Sequence, residues 1–188
     1  FFDKFGYLGA VPLWYNGFTL FNAYAPGWIF FTYPIYKLTG DLLLSTFLST
    51  LILYLCGFVI VWSLGKELRI SKIKRTACFL FIFANPMIIG AVLKQGRIPS
   101  LMALVLFLSI VLIALHFKDR PTTPKIILLG LAYGALILTH QPETVLTGLF
   151  LTGLILVKPN RERLWIILAL LMGIALSSFW LIPFINAA

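Results

Sequence analysis

Two short polar clusters interrupt an otherwise apolar sequence with residue types that can carry chemistry. His140 and Glu143 stand three apart in the turn His140-Gln141-Pro142-Glu143, a spacing that brings two side chains together on one helical turn. Such a pair can work as a proton-transfer unit, or supply two ligands to a divalent metal ion completed from elsewhere. The same residues also make a helix start, with Pro142 in the first turn and Glu143 at the positive end of the helix dipole. The second cluster is Lys94-Gln95-Gly96-Arg97-Ile98-Pro99. Two cations around a glycine suit a phosphate, because the glycine admits close backbone approach and Arg97 can bond in a bidentate way. Simple anchoring at an interface by snorkelling is the competing role for Lys94 and Arg97.

The elements that position these clusters are helices in a membrane. Of the 188 residues 61% are hydrophobic and 11% charged, with a mean hydropathy of +1.00. Soluble domains run near a quarter charged. Six apolar segments, at 41–65, 76–93, 101–117, 126–139, 144–157 and 164–185, read as transmembrane helices of an all-α, polytopic bundle. Asp41 is placed to cap the first of them. Asn85-Pro86 should kink the second, with Asn85 seeking an interhelical hydrogen bond. Two segments, 126–139 and 144–157, are short for a bilayer, so the membrane thins there or the 140–143 turn lies below its surface. Gly130, Gly134, Gly148 and Gly153 are expected to let helices approach closely. Cys56 and Cys78 fall at different depths in apolar runs, which argues against a disulfide and for a packing role.

Charge sets the orientation. The formal net charge is +9, a value that in a soluble chain would suggest nucleic acid; here it reads as a topology signal and as contacts to anionic membrane lipid, not as nucleic-acid binding. Residues 66–75, 118–125 and 158–163 hold eleven of the fifteen Lys and Arg. That bias places the three loops in the cytoplasm of a multi-pass protein of the cell membrane, and residues 1–40 outside. Asn16, Asn22, Tyr24, Lys94, Arg97, His140 and Glu143 then share the external boundary.

The division is therefore an external aromatic segment, 1–40, and a helical membrane domain, 41–188. Within the first, 25–38 is apolar, fourteen residues long and broken by Pro26 and Pro34. It suits a juxtamembrane or re-entrant helix better than a span. The chain lacks an initial Met and opens inside this aromatic stretch, so it reads as a piece of something longer, an incomplete N-terminal part. Trp14, Trp28, Tyr33 and Tyr36 make an interfacial belt, and aromatic platforms of this kind also stack on sugars. There is no nucleophile elbow, P-loop, zinc spacing or dinucleotide fingerprint.

Several short motifs occur in a particular order: Pro12-Leu13-Trp14-Tyr15-Asn16-Gly17, Tyr24-Ala25-Pro26, Leu38-Thr39-Gly40-Asp41, Asn85-Pro86, Gly96-Arg97-Ile98-Pro99, Leu138-Thr139-His140 and Ser178-Phe179-Trp180-Leu181-Ile182-Pro183. In that order they resemble the membrane family called 6-pyruvoyl-tetrahydropterin synthase-related. Two positions depart from the family pattern: Gly27 stands for a second proline, and Ser100 for a residue that is often acidic. The family in turn resembles the GT-C glycosyltransferases, which use polyprenyl-phosphate sugars and place a loop carboxylate as base or metal ligand. The resemblance implies that this carboxylate precedes Phe1. It implies a polyprenyl-phosphate donor held by Lys94 and Arg97, help from His140 and Glu143 in catalysis, and a sugar site shaped by Trp14, Asn22 and Tyr24. Two alternatives stand beside it: a non-catalytic subunit whose external loop docks other membrane subunits, and a transporter, for which only the Asn85-Pro86 break speaks.

Overall fold

The computed structural model describes residues 10–11, 18–19, 21, 24–116 and 122–187. A two-residue antiparallel ladder comes first, β1 (Ala10–Val11) on β2 (Phe18–Thr19), with Ala10 opposite Thr19. Everything else that is regular is helix: α1 (Gly27–Thr39), α2 (Leu42–Glu67), α3 (Lys72–Phe83), α4 (Pro86–Leu93), α5 (Ile98–His116), α6 (Thr123–Ile137), α7 (Gln141–Val157) and α8 (Asn160–Ala187).

All six apolar segments form helices, and most begin a few residues ahead of the apolar run. Polar residues and prolines explain the extension: Pro86, Pro124 and Pro142 occupy the first two positions of α4, α6 and α7, where a missing N–H costs nothing. Among the described residues three helices can cross a membrane by length and composition, α2, α5 and α8, and the bent pair α3–α4 would make a fourth. The helices α6 and α7, at 15 and 17 residues, are shorter. Large apolar side chains cover the outer surface, Leu43 being 81% exposed and Phe81 80%. A water-facing surface does not tolerate so continuous an apolar cover.

Asp41 caps α2 as its position suggests, its carboxylate accepting from the Leu44 amide at 2.9 Å. Asn85 behaves differently from expectation. Its carbonyl oxygen accepts from the Ile88 amide at 2.9 Å, and its amide nitrogen donates to the Phe81 and Ile82 carbonyls at 2.9 and 3.0 Å. All its partners lie in its own bent segment, so no interhelical bond forms. Pro86 removes a helical donor, and the Asn85 side chain satisfies the backbone groups that the 44° bend between α3 and α4 sets free. Cys56 and Cys78 are free, and both are exposed on the outer surface instead of packing inside.

The helix α8 packs chiefly on α6, and glycines set that distance. A Cβ on Gly134 would sit 3.0 Å from the Gly173 carbonyl oxygen, and one on Gly173 would sit 3.0 Å from both the Gly130 carbonyl oxygen and the Gly134 nitrogen. Gly130 and Gly134 therefore do what their size suggests, with Gly173 as their partner. Gly153 has open space around it and Gly148 meets only the Tyr133 hydroxyl, at 3.4 Å. Replacing Gly134 by leucine is expected to force α6 and α8 apart and cost about 1–3 kcal/mol. The melting temperature in detergent checks this, with Gly153→Leu as the neutral control.

The helices α1 and α2 form an antiparallel hairpin closed by Gly40, whose φ of 68° is the left-handed conformation glycine allows. Trp28 and Phe31 near the start of α1 pack into the cluster that contains Leu53 of α2 and Leu101 and Met102 of α5. The start of α1 thus lies deep along α2, about 18 Å from the Gly40 turn by helical rise.

Candidate functional site

Three chain segments meet at one end of the bundle, opposite the basic loops. The first is the α6–α7 turn. The His140 amide donates to the Leu136 carbonyl at 3.1 Å, and the chain then turns into extended geometry at His140, the residue before α7. Hydroxyls brace the turn. Thr144 Oγ1 donates to the carbonyls of His140 (2.9 Å) and Leu136 (3.1 Å), and the buried Thr147 donates to the Glu143 carbonyl at 2.7 Å. Within this frame His140 Nδ1 is hydrogen-bonded to the Glu143 carboxylate. The two side chains keep 30% and 29% of their exposure, so the pair is half sheltered yet reachable.

The second segment is the turn from α4 into α5. Gly96 adopts φ 65°, which lets the Arg97 amide reach back to the Ala91 carbonyl at 2.9 Å. One helical turn on, Ser100 in the first turn of α5 places its Oγ 3.2 Å from His140 Nε2. The two polar clusters that stand forty residues apart in sequence are therefore joined by a hydrogen-bonded chain, Ser100 to His140 to Glu143. Ser100 carried no signal in the sequence beyond its departure from a family position that is often acidic.

Lys94 and Arg97, in the turn that leads to Ser100, are both exposed, and neither forms an ion pair among the described residues. Some cations at the opposite end brace turns. Arg75 donates to the Ile70 carbonyl at 2.7 Å and lies over the Trp62 ring at 5.4 Å, and Lys158 pairs with Glu162 at 2.8 Å. Those groups hold turns together.

The third segment is the start of α1. The Gly27 amide donates to the Leu138 carbonyl, two residues before His140. Gly27 and Pro26 are buried, and no room exists for a side chain at 27: a Cβ would stand 2.5 Å from the Leu138 oxygen and 2.6 Å from Thr139 Oγ1. The departure from proline at this position is thus a contact. Tyr24, three residues ahead of that anchor, is 55% exposed. Phe21 is buried and its carbonyl accepts from Trp180 Nε1 at 2.8 Å, tying the preceding chain to α8. Trp14 and Asn22 lie outside the described residues.

Among the described residues no three His, Cys, Asp or Glu side chains converge as a metal-binding set. His140 and Glu143 could give two ligands, but each is engaged with the other. What the arrangement can do as it stands is move a proton: a carboxylate orients an imidazole, and the imidazole's far nitrogen faces a hydroxyl.

No curated protein and no solved structure matches the chain. Residues 21–188 match the sequence profile of the 6-pyruvoyl-tetrahydropterin synthase related domain, described as a membrane protein; with a match over that length, and with apolar helices able to cross a bilayer, the chain belongs to this membrane-protein family.

Proposed function

We propose that the chain is part of a GT-C-like glycosyltransferase that moves a sugar from a polyprenyl phosphate to an acceptor on the extracytoplasmic side of the cell membrane. The observation that carries this reading is the Ser100–His140–Glu143 chain at the end of the Lys94–Arg97 turn, whose two cations are exposed and form no ion pair among the described residues. Glycosyl transfer from a lipid phosphate needs two things at one place. A base must take the acceptor's proton, and cations must hold the phosphate as negative charge gathers on the leaving oxygen. His140, oriented by Glu143, supplies the first; Lys94 and Arg97 supply the second.

The six apolar segments act as spans in this reading, with the loops at 66–75, 118–125 and 158–163 in the cytoplasm. The lengths of α6 and α7, about 22 and 25 Å by helical rise, fall short of a hydrocarbon layer of about 30 Å. Their shared turn then sits slightly below the outer surface, where a lipid-borne donor brings its phosphate. The start of α1, bonded to that turn, forms a wall of the site, with Tyr24 beside it for the sugar.

The test is transfer by full-length protein in vesicles from a labelled polyprenyl-phosphate sugar. Arg97→Ala removes charge-assisted hydrogen bonds to the phosphate, and the KM for donor is expected to rise about 10- to 100-fold. An unchanged KM overturns the phosphate role of Arg97.

A further inference from the structure

His140 faces a different partner at each ring nitrogen, and this determines which nitrogen can act. An ionised Glu143 can only accept hydrogen bonds, so the nitrogen next to it, Nδ1, carries the proton. Nε2 then holds the free lone pair. Its partner, the Ser100 hydroxyl at 3.2 Å, is the donor. The imidazole is therefore set as a base before any substrate arrives, with its basic nitrogen already facing an O–H group. Ser100 is fixed in turn by the first turn of α5, and the α5 backbone around it packs through Leu101 and Met102 into the buried cluster with Leu53 and Val92.

The geometry points to Ser100 as the positioning residue of this base. Its hydroxyl holds Nε2 of His140 and marks the place where the hydroxyl of an alcohol acceptor docks. This rests on the glycosyl-transfer reading and names its acceptor class. In the step it implies, the acceptor O–H takes up the hydrogen bond to Nε2. The acceptor oxygen forms a bond to the sugar's anomeric carbon, and the bond from that carbon to the phosphate oxygen breaks. The electron pair stays on the polyprenyl phosphate, and the acceptor's proton goes to Nε2. Ser100, released from Nε2, stays at the edge of the site, where its hydroxyl can donate to the acceptor oxygen and hold it against the imidazole.

The test needs no substrate. The chain has two histidines, His116 and His140, and in protein labelled with ¹⁵N-histidine in nanodiscs the His140 imidazole is identified by its loss in His140→Ala. Wild type is expected to show His140 protonated at Nδ1 and unprotonated at Nε2. Diethyl pyrocarbonate, which attacks the free ring lone pair, should modify His140 about 3- to 10-fold faster in Ser100→Ala than in wild type, the range one hydrogen bond of ordinary strength supplies. Ser100→Thr keeps the hydroxyl and should return the rate to that of wild type, with His116 as internal reference. A proton found on Nε2, or equal modification rates in wild type and Ser100→Ala, overturns the assignment. In the transfer assay Ser100→Ala should lower kcat with little change in the donor KM, and Ser100→Thr should restore it. Absence of transfer by the wild type counts against the glycosyl-transfer reading, while the spectroscopic and modification results decide the role of Ser100 by themselves.

Discussion

Gly27→Val is expected to unseat α1 from the α6–α7 turn, lowering stability and activity together. The reason is spatial. At Gly27 even a single carbon would stand 2.5 Å from the Leu138 carbonyl oxygen and 2.8 Å from its carbon. These are backbone atoms of a braced turn, and they cannot move aside as the end of a flexible side chain would. Valine adds two further carbons to that conflict. Relief requires the start of α1 to withdraw, and withdrawal also breaks the hydrogen bond from the Gly27 amide to Leu138. Overpacking of this kind costs about 1–3 kcal/mol, and a lost backbone hydrogen bond adds about 1 kcal/mol. The drop in melting temperature measures this cost, and Gly40→Ala, at a position with open space but positive φ, separates the contact from a general effect of replacing glycine. Because Leu138 leads directly into His140, loss of transfer should accompany loss of stability.

His140→Ala has the larger effect on chemistry. A positioned general base contributes about 10²–10⁴-fold to rate, and the substitution is expected to lower kcat for sugar transfer within that range. His140 is only partly buried, at 30% side-chain exposure, and its backbone amide bond to Leu136 survives the change. The melting temperature should therefore move little, in contrast with Gly27→Val. Glu143→Gln leaves a neighbour of similar shape that no longer favours the proton at Nδ1, so it should also lower kcat while leaving the donor KM near its starting value.

The two clusters that carry these effects differ in how far they could be read from the sequence. The pairing of His140 with Glu143 is local, set by three residues of helical spacing, and the Asp41 cap and the Gly96 turn are local in the same sense. The link from Ser100 to His140 depends on how α5 lies against the α6–α7 turn, and nothing near Ser100 in sequence encodes it. Gly27 is similar: a missing proline becomes meaningful only when Leu138 is seen against it. Asn85 shows the opposite error. A polar side chain in an apolar run suggested a partner on another helix, whereas the proline beside it freed backbone groups that the side chain could satisfy at home. The helix α1 was visible as a short, proline-containing apolar segment, but its hairpin with α2 and the depth of its start rest on long-range contacts such as those of Trp28 and Phe31. Gly173 has neighbours in sequence that are ordinary for an apolar helix, and only the facing Gly130 and Gly134 reveal its purpose.

Photo-crosslinking with a photoactivatable polyprenyl phosphate tests most directly whether this end of the bundle receives a lipid phosphate. With full-length protein in bilayers, the account predicts adducts on the peptides carrying residues 94–100 and 140–144, competed away by unlabelled polyprenyl phosphate and reduced in Arg97→Ala. Adducts confined to the basic end, on residues 66–75 or 158–163, or labelling at 94–100 that excess polyprenyl phosphate does not displace, would contradict it.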